Sequence, residues 1–163
     1  MVEEKKAALL IIDMLNDFVK PGGTLVVPTA AAIIPNISQR REEARGNGEP
    51  VVYVCDTHHP NDSEFQQWPR HAVEGTWGAQ VVDELKPSTD DYVIPKRRFS
   101  AFFETSLDLL LRELNVGTIV LTGTVTNICI YATALHGRML GYEIIIYEDC
   151  VAGLAEEDHN FAL

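Results

Sequence analysis

Residues 7–13, Ala-Ala-Leu-Leu-Ile-Ile-Asp, contain the apolar run that decides the fold class. Six apolar residues without polar alternation are typical of a strand buried on both faces of a parallel sheet. Because the run ends at Asp13, we expect this carboxylate at the carboxyl end of a strand. Further short strands are predicted at residues 50–55, 92–95, 118–122 and 143–147.

Helical patterns separate these strands. They cover residues 30–45, 78–85, 105–114 (with Thr105 as a plausible cap) and 127–140. Alternating strands and helices predict an α/β fold: a three-layer, doubly wound, mainly parallel sheet of the Rossmann-like kind, with helices on both faces. In such folds the carboxyl ends of the strands line the ligand crevice. Asp13, Asp56, Lys96 and the segment before Cys129 should all lie at that edge.

Length and charge restrict the class of protein. The 163 residues, 46% of them hydrophobic, predict one domain over residues 1–163. A formal charge of −11 repels phosphate backbones and anionic lipids, so we expect neither nucleic acid nor membrane as a partner. The start, Met-Val-Glu-Glu-Lys-Lys, is not followed by a signal-type apolar stretch, which predicts a cytoplasmic protein.

Cys129 is the cysteine most suited to chemistry. The set Cys55, Cys129 and Cys150 contains no Cys-x-x-Cys pair and fits neither a disulfide framework nor a zinc ribbon. Cys129 follows the strand at 118–122 through a short turn, which predicts a position at a helix start, where the helix dipole lowers a thiol pKa. The alternative is a buried structural cysteine, the commoner fate beside Ile128 and Ile130.

Two charged residues are candidates to assist this thiol. Asp13 could act as a general base that takes the thiol proton and returns it to a leaving nitrogen, or it could simply cap a turn. Lys96 could lower the thiol pKa and keep Asp13 ionised if it points into the crevice. By default it is a solvated surface charge.

The long polar segment 57–76, broken by Pro60 and Pro69, is too long to be a mere connector. Asp56, His58 and His71 offer one carboxylate and two imidazoles, a ligand set that suits one divalent metal such as zinc, iron or manganese. The adjacent His59 leaves the register open, and ordinary loop hydrogen bonds are the alternative. The aromatic residues that could wall a substrate pocket, or belong to the core instead, are Phe18, Trp68, Phe99 and Phe102.

Four segments, taken in order, carry a resemblance that covers nearly the whole chain. They are residues 9–18 (LLIIDMLNDF), 68–76 (WPRHAVEGT), 96–102 (KRRFSAF) and 123–129 (GTVTNIC). The sequence resembles the isochorismatase-like cysteine hydrolase superfamily, which includes nicotinamidases, N-carbamoylsarcosine amidases, ureidoacrylate-type amidases and isochorismatases.

The resemblance implies an enzyme that cleaves a carbon–nitrogen bond of a small amide or ureido compound through a thioester. Asp13, Lys96 and Cys129 would form the catalytic triad. The Thr124–Val125 peptide would be cis and would direct the Val125 N–H, with that of Cys129, at the oxyanion. The resemblance also implies a homo-oligomer, with no organic cofactor. Family members normally complete the helix that starts near Glu156 and add a last strand, so we expect these parts to be missing here.

The branch of the superfamily stays open. Nicotinamidases bind a metal through an Asp-x-His pair and a later His, which Asp56, His58 and His71 match, but they usually have Asp where this chain has Asn127. Isochorismatases proper, which cleave a vinyl ether, lack the catalytic cysteine. The other rivals are a catalytically silent small-molecule binding protein of the same fold and a flavodoxin-like nucleotide binder, which the lack of Gly-x-Gly-x-x-Gly after Ile12 disfavours.

Overall fold

The computed structural model describes residues 5–163 and contains a five-stranded sheet in the order β3-β2-β1-β4-β5. All neighbouring strands are parallel, which confirms the predicted α/β fold. The strands are β1 (Lys6–Ile12), β2 (Val51–Asp56), β3 (Tyr92–Lys96), β4 (Val116–Thr124) and β5 (Glu143–Ala152). Residues 1–4, which begin the segment used to predict the absence of a signal peptide, lie outside the described residues.

The helices follow the predicted alternation with some changes at their ends. They are α1 (Asn16–Val19), α2 (Ile34–Gly46), α3 (Leu107–Glu113), α4 (Tyr131–Met139) and α5 (Glu156–Ala162). A 3-10 turn, Ala30–Ile33, precedes α2, and a π-helical turn, Thr126–Ile130, precedes α4. No helix among the described residues combines the length and apolar character that crossing a membrane takes.

Two hydrophobic cores cover the two faces of the sheet. Leu9 and Ile11 of β1 belong to one core, and Leu10 and Ile12 belong to the other, because successive strand residues point to opposite faces. On the first face α2 contributes Ile37, and on the second α3 contributes Leu107 and Leu111. Each fully buried aliphatic side chain stabilises the fold by about 1.5–3 kcal/mol, so β1, buried on both sides, is fixed in place.

Strand register brings the polar strand ends to one edge. Ile12 lies opposite Val54 on one side and Gly123 on the other, so Asp13 emerges between β2 and β4. Asp56 and Lys96 end β2 and β3 as direct neighbours in the ladder. Gly123 has φ +112°, and a side chain there would collide with the Ile12 backbone, so only glycine allows this close approach.

Two predicted elements differ from the structure. The helix expected at 78–85 is wrong: two short 3-10 turns, Trp77–Ala79 and Asp83–Leu85, flank an extended piece in which Val81 pairs with Leu15. The backbone of this extended piece therefore hydrogen-bonds to the segment around Leu15 and not along a helix of its own. The strand predicted to end at 147 continues to Ala152, since an edge strand tolerates the charges of Glu148 and Asp149 on its solvent side.

Candidate active site

Asp13, Lys96 and Cys129 meet at the carboxyl edge of the sheet. The Lys96 Nζ lies 2.9 Å from Asp13 Oδ2 and 3.5 Å from Cys129 Sγ. All three side chains are buried, with Cys129 6% exposed and the other two 1%. The three predicted triad residues are therefore in mutual contact range around one ammonium group.

Cys129 lies on the π-helical turn Thr126–Ile130 rather than in the first turn of a regular helix. The Ile130 N–H donates to the Val125 carbonyl at 3.2 Å, the i to i+5 bond that defines this turn, and α4 starts only at Tyr131. The Thr124–Val125 peptide bond is cis. The Thr124 hydroxyl donates to the Asp13 carbonyl at 2.9 Å, which ties this segment to the end of β1.

The electrostatics of the thiol differ from the expectation. Burial raises the pKa of Cys129 well above its usual range, and the nearby carboxylate of Asp13 adds to this, while Lys96 opposes it. The prediction of a lowered thiol pKa in the free protein is therefore wrong, because removing a thiolate from water outweighs one neighbouring cation. Cys129 is a neutral thiol before substrate binds.

The pKa of Asp13 is raised from its usual range towards neutrality. Burial and repulsion from Asp56 raise the pKa of Asp13 to about 6, although Lys96 lowers it. Burial alone would lower the pKa of Lys96, but Asp13 and Asp56 raise it well above its usual range. At pH 7 the arrangement is therefore a thiol, a carboxylate with affinity for a proton, and a permanent cation.

A second group of ligand atoms adjoins this triad. The Asp56 Oδ2 lies 3.6 Å from His58 Nε2 and 3.8 Å from His71 Nε2. Glu64 Oε1 faces the same two nitrogens at 3.8 and 3.9 Å. The adjacent His59 is exposed and instead lies near Glu74. His58, and not His59, is therefore the histidine that belongs to this group of ligands. Sequence reasoning missed Glu64.

This group fits a divalent metal. The His58 Nδ1–H donates to Asp62 Oδ2 at 3.1 Å and the His71 Nδ1–H to the Pro69 carbonyl at 2.6 Å, which directs both Nε2 atoms at Asp56. Among residues 5–163 the buried His58 Nε2 has no hydrogen-bond partner. Bonds of about 2.0–2.2 Å to zinc set tetrahedral donors about 3.3–3.6 Å apart, close to the spacing of these atoms.

Asp13, Asp56 and Cys129 also bring three potential ligand atoms within 4.8 Å of one another. Their shared neighbour is the Lys96 ammonium, which lies 2.5 Å from Asp56 Oδ1 and also contacts the other two side chains. A fixed positive charge among these atoms excludes a metal ion there. The histidine group is therefore the candidate metal centre.

A cavity opens onto Cys129, Asp13 and the candidate metal centre. Phe18, Trp68 and Phe99 line it, as do three apolar residues that sequence reasoning missed: Leu25, Ile128 and Leu154. The prediction for Phe102 is wrong, because its ring stacks on Tyr142 within the core on one face of the sheet. On a loop, side-chain direction does not follow from spacing, so Phe99 and Phe102 could not be separated in advance.

Asp17 supports the loop that supplies His71. Its buried carboxylate accepts from the Ala72 N–H at 2.8 Å and from the Thr24 N–H at 3.1 Å. Ala72 has φ +44°, an uncommon conformation for a residue with a side chain. Asp17 thus fixes the backbone next to one candidate metal ligand, and its place in the segment 9–18 was the only sequence signal for it.

Comparison with known proteins identifies the family. The sequence model of the isochorismatase domain matches residues 7–163. The chain therefore belongs to the isochorismatase family, which confirms the resemblance drawn from its four segments.

Solved structures agree in fold over nearly the whole chain. An isochorismatase-like hydrolase from Alkaliphilus metalliredigens is 41% identical with a TM-score of 0.93, covering 96% of this chain and 88% of its own. N-carbamoylsarcosine amidase from Thermoplasma acidophilum is 38% identical with a TM-score of 0.89, covering 96% and 90%. The pyrazinamidase of Pyrococcus horikoshii, solved in complex with zinc, is 33% identical with a TM-score of 0.91, covering 96% and 92%.

Relatives in the family do not all carry the name of an active enzyme. A protein of Arabidopsis thaliana, 34% identical over 96% of this chain and 85% of its own length, is named "Probable inactive nicotinamidase". Family membership thus supports a hydrolase acting on a small molecule.

Proposed function

We propose that this protein is a cysteine-dependent amidohydrolase that cleaves a carbon–nitrogen bond in a small, neutral amide. The observation that carries the proposal is the position of Lys96 Nζ, 2.9 Å from Asp13 Oδ2 and 3.5 Å from Cys129 Sγ, beside a cavity lined by both Asp13 and Cys129. A nucleophile beside a carboxylate base suits covalent catalysis, and the cation between them holds both in place.

Proton transfer follows from the two pKa shifts. Since the pKa of Cys129 is raised, attack needs a base, and Asp13, with a pKa of about 6, is largely ionised at pH 7 yet able to hold a proton. Asp13 takes the thiol proton as the sulfur bonds to the carbonyl carbon. It then gives that proton to the leaving nitrogen as the carbon–nitrogen bond breaks, which releases ammonia or an amine and leaves a thioester.

Water completes the cycle. Asp13 takes a proton from water as the hydroxyl oxygen bonds to the thioester carbon. The carbon–sulfur bond then breaks as Asp13 gives that proton to the sulfur, which releases the acid and restores both the thiol and the carboxylate. We assign the oxyanion to the backbone at Val125 and Cys129, which both line the cavity. Lys96 keeps its charge throughout and stabilises the negative charge that passes between sulfur and carboxylate.

A divalent metal next to the triad completes this proposal. Asp56, His58 and His71 would hold it, with Glu64 as a fourth ligand, and bound there it supplies a Lewis acid that binds an electron pair of the substrate, such as a ring nitrogen. The chain's own contribution is to place these ligands beside the triad, since a carboxylate oxygen of Asp56 lies within 4.8 Å of Cys129 Sγ. The zinc in the Pyrococcus horikoshii pyrazinamidase supports this assignment.

The cavity lining favours a neutral, flat substrate. It contains Phe18, Trp68 and Phe99 as apolar walls, three carboxylates (Asp13, Asp56 and Glu64) and, within residues 5–163, no lysine or arginine. An anionic substrate would meet like charges with no cation to pair with among these lining residues. Nicotinamide-like and pyrazinamide-like amides therefore fit better than N-carbamoylsarcosine, whose carboxylate would depend on the metal for binding.

A ureido compound is the second candidate. The N-carbamoylsarcosine amidase of Thermoplasma acidophilum is 38% identical to this chain, against 33% for the Pyrococcus horikoshii pyrazinamidase, and residues 127–129 are Asn-Ile-Cys, the form typical of general amidase branches. A neutral ureido compound is consistent with this similarity, and without a negative charge it avoids repulsion by the carboxylates that line the cavity. Vinyl-ether cleavage is disfavoured by Cys129 itself, which isochorismatases proper lack.

Ammonia release from four substrates tests the proposal: nicotinamide, pyrazinamide, N-carbamoylsarcosine and a neutral ureido compound. We expect at least one neutral amide to be hydrolysed by wild-type protein with zinc, iron or manganese added, and no turnover by Cys129→Ala. Circular dichroism of the variant should match wild type, because one sulfur at the cavity wall contributes little to stability. Failure of every substrate would favour the catalytically silent alternative, and turnover by Cys129→Ala would remove Cys129 from the mechanism.

A further inference from the structure

Asp62 is a buried carboxylate outside the cavity lining that holds an unusual number of partners. Its side chain has no exposed surface. It lies in the loop between β2 and β3 and accepts hydrogen bonds from His58, from the backbone of Glu64, and from both Arg97 and Arg98. No step of the proposed reaction uses it.

The contact with His58 fixes the orientation of an imidazole. Asp62 Oδ2 accepts from His58 Nδ1 at 3.1 Å, so the proton stays on Nδ1 and the lone pair of Nε2 points at Asp56 Oδ2, 3.6 Å away. A carboxylate on the far side of a ligating histidine also makes the ligand nitrogen more basic. Without Asp62 the ring could rotate or exchange tautomers.

The contact with Glu64 fixes a second ligand. Asp62 caps the 3-10 turn Ser63–Gln66, because its Oδ1 accepts from the Glu64 N–H at 3.0 Å. That turn directs Glu64 Oε1 at the two histidine nitrogens, 3.8 and 3.9 Å away. One carboxylate thus orients two of the four groups around the candidate metal centre, one through each of its oxygens.

The two arginines attach this loop to the sheet. Arg97 Nη2 lies 2.9 Å and Arg98 Nη1 3.1 Å from the Asp62 carboxylate, and both residues directly follow Lys96 at the end of β3. The same carboxylate that orients His58 and Glu64 is therefore anchored to the strand that supplies Lys96. The loop cannot shift relative to Cys129 without breaking these pairs.

From these contacts we propose that Asp62 is a positioning residue of the candidate metal centre, holding His58 and Glu64 in the geometry that binds a divalent ion. The proposal rests on the metal site of the proposed function. It differs from a purely structural role, since it requires the affinity for metal to depend on Asp62 even in a variant that remains folded.

The test is zinc binding by purified, metal-stripped protein, measured by competition with a chromophoric chelator, for wild type, Asp62→Asn and Asp62→Ala. Asp91→Asn is the matched control, because Asp91 is also a buried, arginine-paired aspartate, 2.6 Å from Arg45, but lies away from the candidate metal centre. We expect the Asp62 variants to bind zinc about 10- to 100-fold more weakly, as is typical for partners behind metal ligands, and Asp91→Asn to match wild type. The Co²⁺ absorption spectrum should also change in the Asp62 variants alone.

Each outcome of the zinc-binding measurement supports or overturns the proposed role of Asp62. Equal zinc affinity and Co²⁺ spectra in wild type and Asp62→Asn would overturn the proposal while leaving the metal centre and the amidase reaction intact. Absence of zinc binding by wild type would overturn it together with the metal centre, and the ammonia assay without metal would report separately on the Cys129 chemistry. If Asp62→Ala does not fold, Asp62→Asn, which keeps the shape of the side chain, carries the test.

Discussion

Asp56 joins Lys96 to the candidate metal centre through the two oxygens of one carboxylate. Its Oδ1 lies 2.5 Å from Lys96 Nζ, and its Oδ2 faces His58 Nε2 and His71 Nε2 at 3.6 and 3.8 Å. Asp56 would thus bind the metal and is also an ion-pair partner of Lys96, the cation beside Cys129. Loss of Asp56 should damage both sites, whereas loss of His71 should damage one.

This difference can be measured as rescue by metal. His71→Ala should lose metal at stoichiometric concentration but regain hydrolysis in excess metal, because three ligands remain: Asp56, His58 and Glu64. The ion pairs of Lys96 with Asp13 and Asp56 also remain. Asp56→Asn should stay impaired at every metal concentration. The measurement is kcat/KM against free metal concentration; equal rescue of both variants would mean that the Asp56 contact with Lys96 is not needed for turnover.

The raised pKa of Asp13 predicts an acid limit for activity. The ionised carboxylate is the proposed base, and with a pKa of about 6 it becomes protonated as pH falls through that value. Below it kcat/KM should fall about tenfold per pH unit, and Asp13→Asn should be inactive at all pH values. A kcat/KM that stays constant from pH 8 to 5 would argue against Asp13 as the base, provided that circular dichroism shows folded protein throughout.

Much of this fold could be predicted because β1 is apolar on both faces and ends abruptly at a charge. That pattern indicates a central parallel strand and places Asp13 at the ligand edge, and the same argument places Asp56 and Lys96. Segments outside the sheet were harder to predict from the sequence. Residues 78–85 have helix-forming composition, but Val81 pairs with Leu15, and no local pattern encodes a partner 66 positions earlier.

The candidate site shows the same limit. Cys129 could be located from the turn after β4, but the sign of its pKa shift depends on burial, which follows from how Asp13, Lys96 and the cavity walls pack together. Glu64 was missed because acidic loop residues are common. Its signal was Asp62, an N-cap residue two positions earlier, which starts the turn that directs Glu64 inward.

Gly78 should be intolerant of a side chain. A Cβ there would overlap the Asp17 carboxylate, which holds the Ala72 N–H beside His71. We expect Gly78→Ala to lower the free energy of unfolding by about 1–3 kcal/mol, as overpacking does, and to weaken metal binding by displacing His71. Urea unfolding and zinc affinity measure the two effects.

Gly46→Ala is the control for this prediction. Gly46 lies at the end of α2, and outside its chain neighbours and the backbone of its own helix no atom is within 4 Å of the point where a Cβ would lie. Alanine there should therefore be neutral or slightly stabilising. If Gly78→Ala were as stable as Gly46→Ala and bound zinc like wild type, Asp17 would not be required to hold the loop that supplies His71.

Phe99 and Phe102, three residues apart, should respond to truncation in opposite ways. Phe99 lines the cavity and is 39% exposed, so Phe99→Ala should raise KM for an aromatic amide about 3- to 10-fold, the loss of one ring contact, with little change in stability. Phe102 is 7% exposed and stacks on Tyr142, so Phe102→Ala should cost about 3–5 kcal/mol of stability while folded enzyme keeps its KM. Steady-state kinetics and urea unfolding of both variants separate the two roles. An increase in KM for Phe102→Ala equal to that for Phe99→Ala would mean that the cavity extends to the core on that face of the sheet.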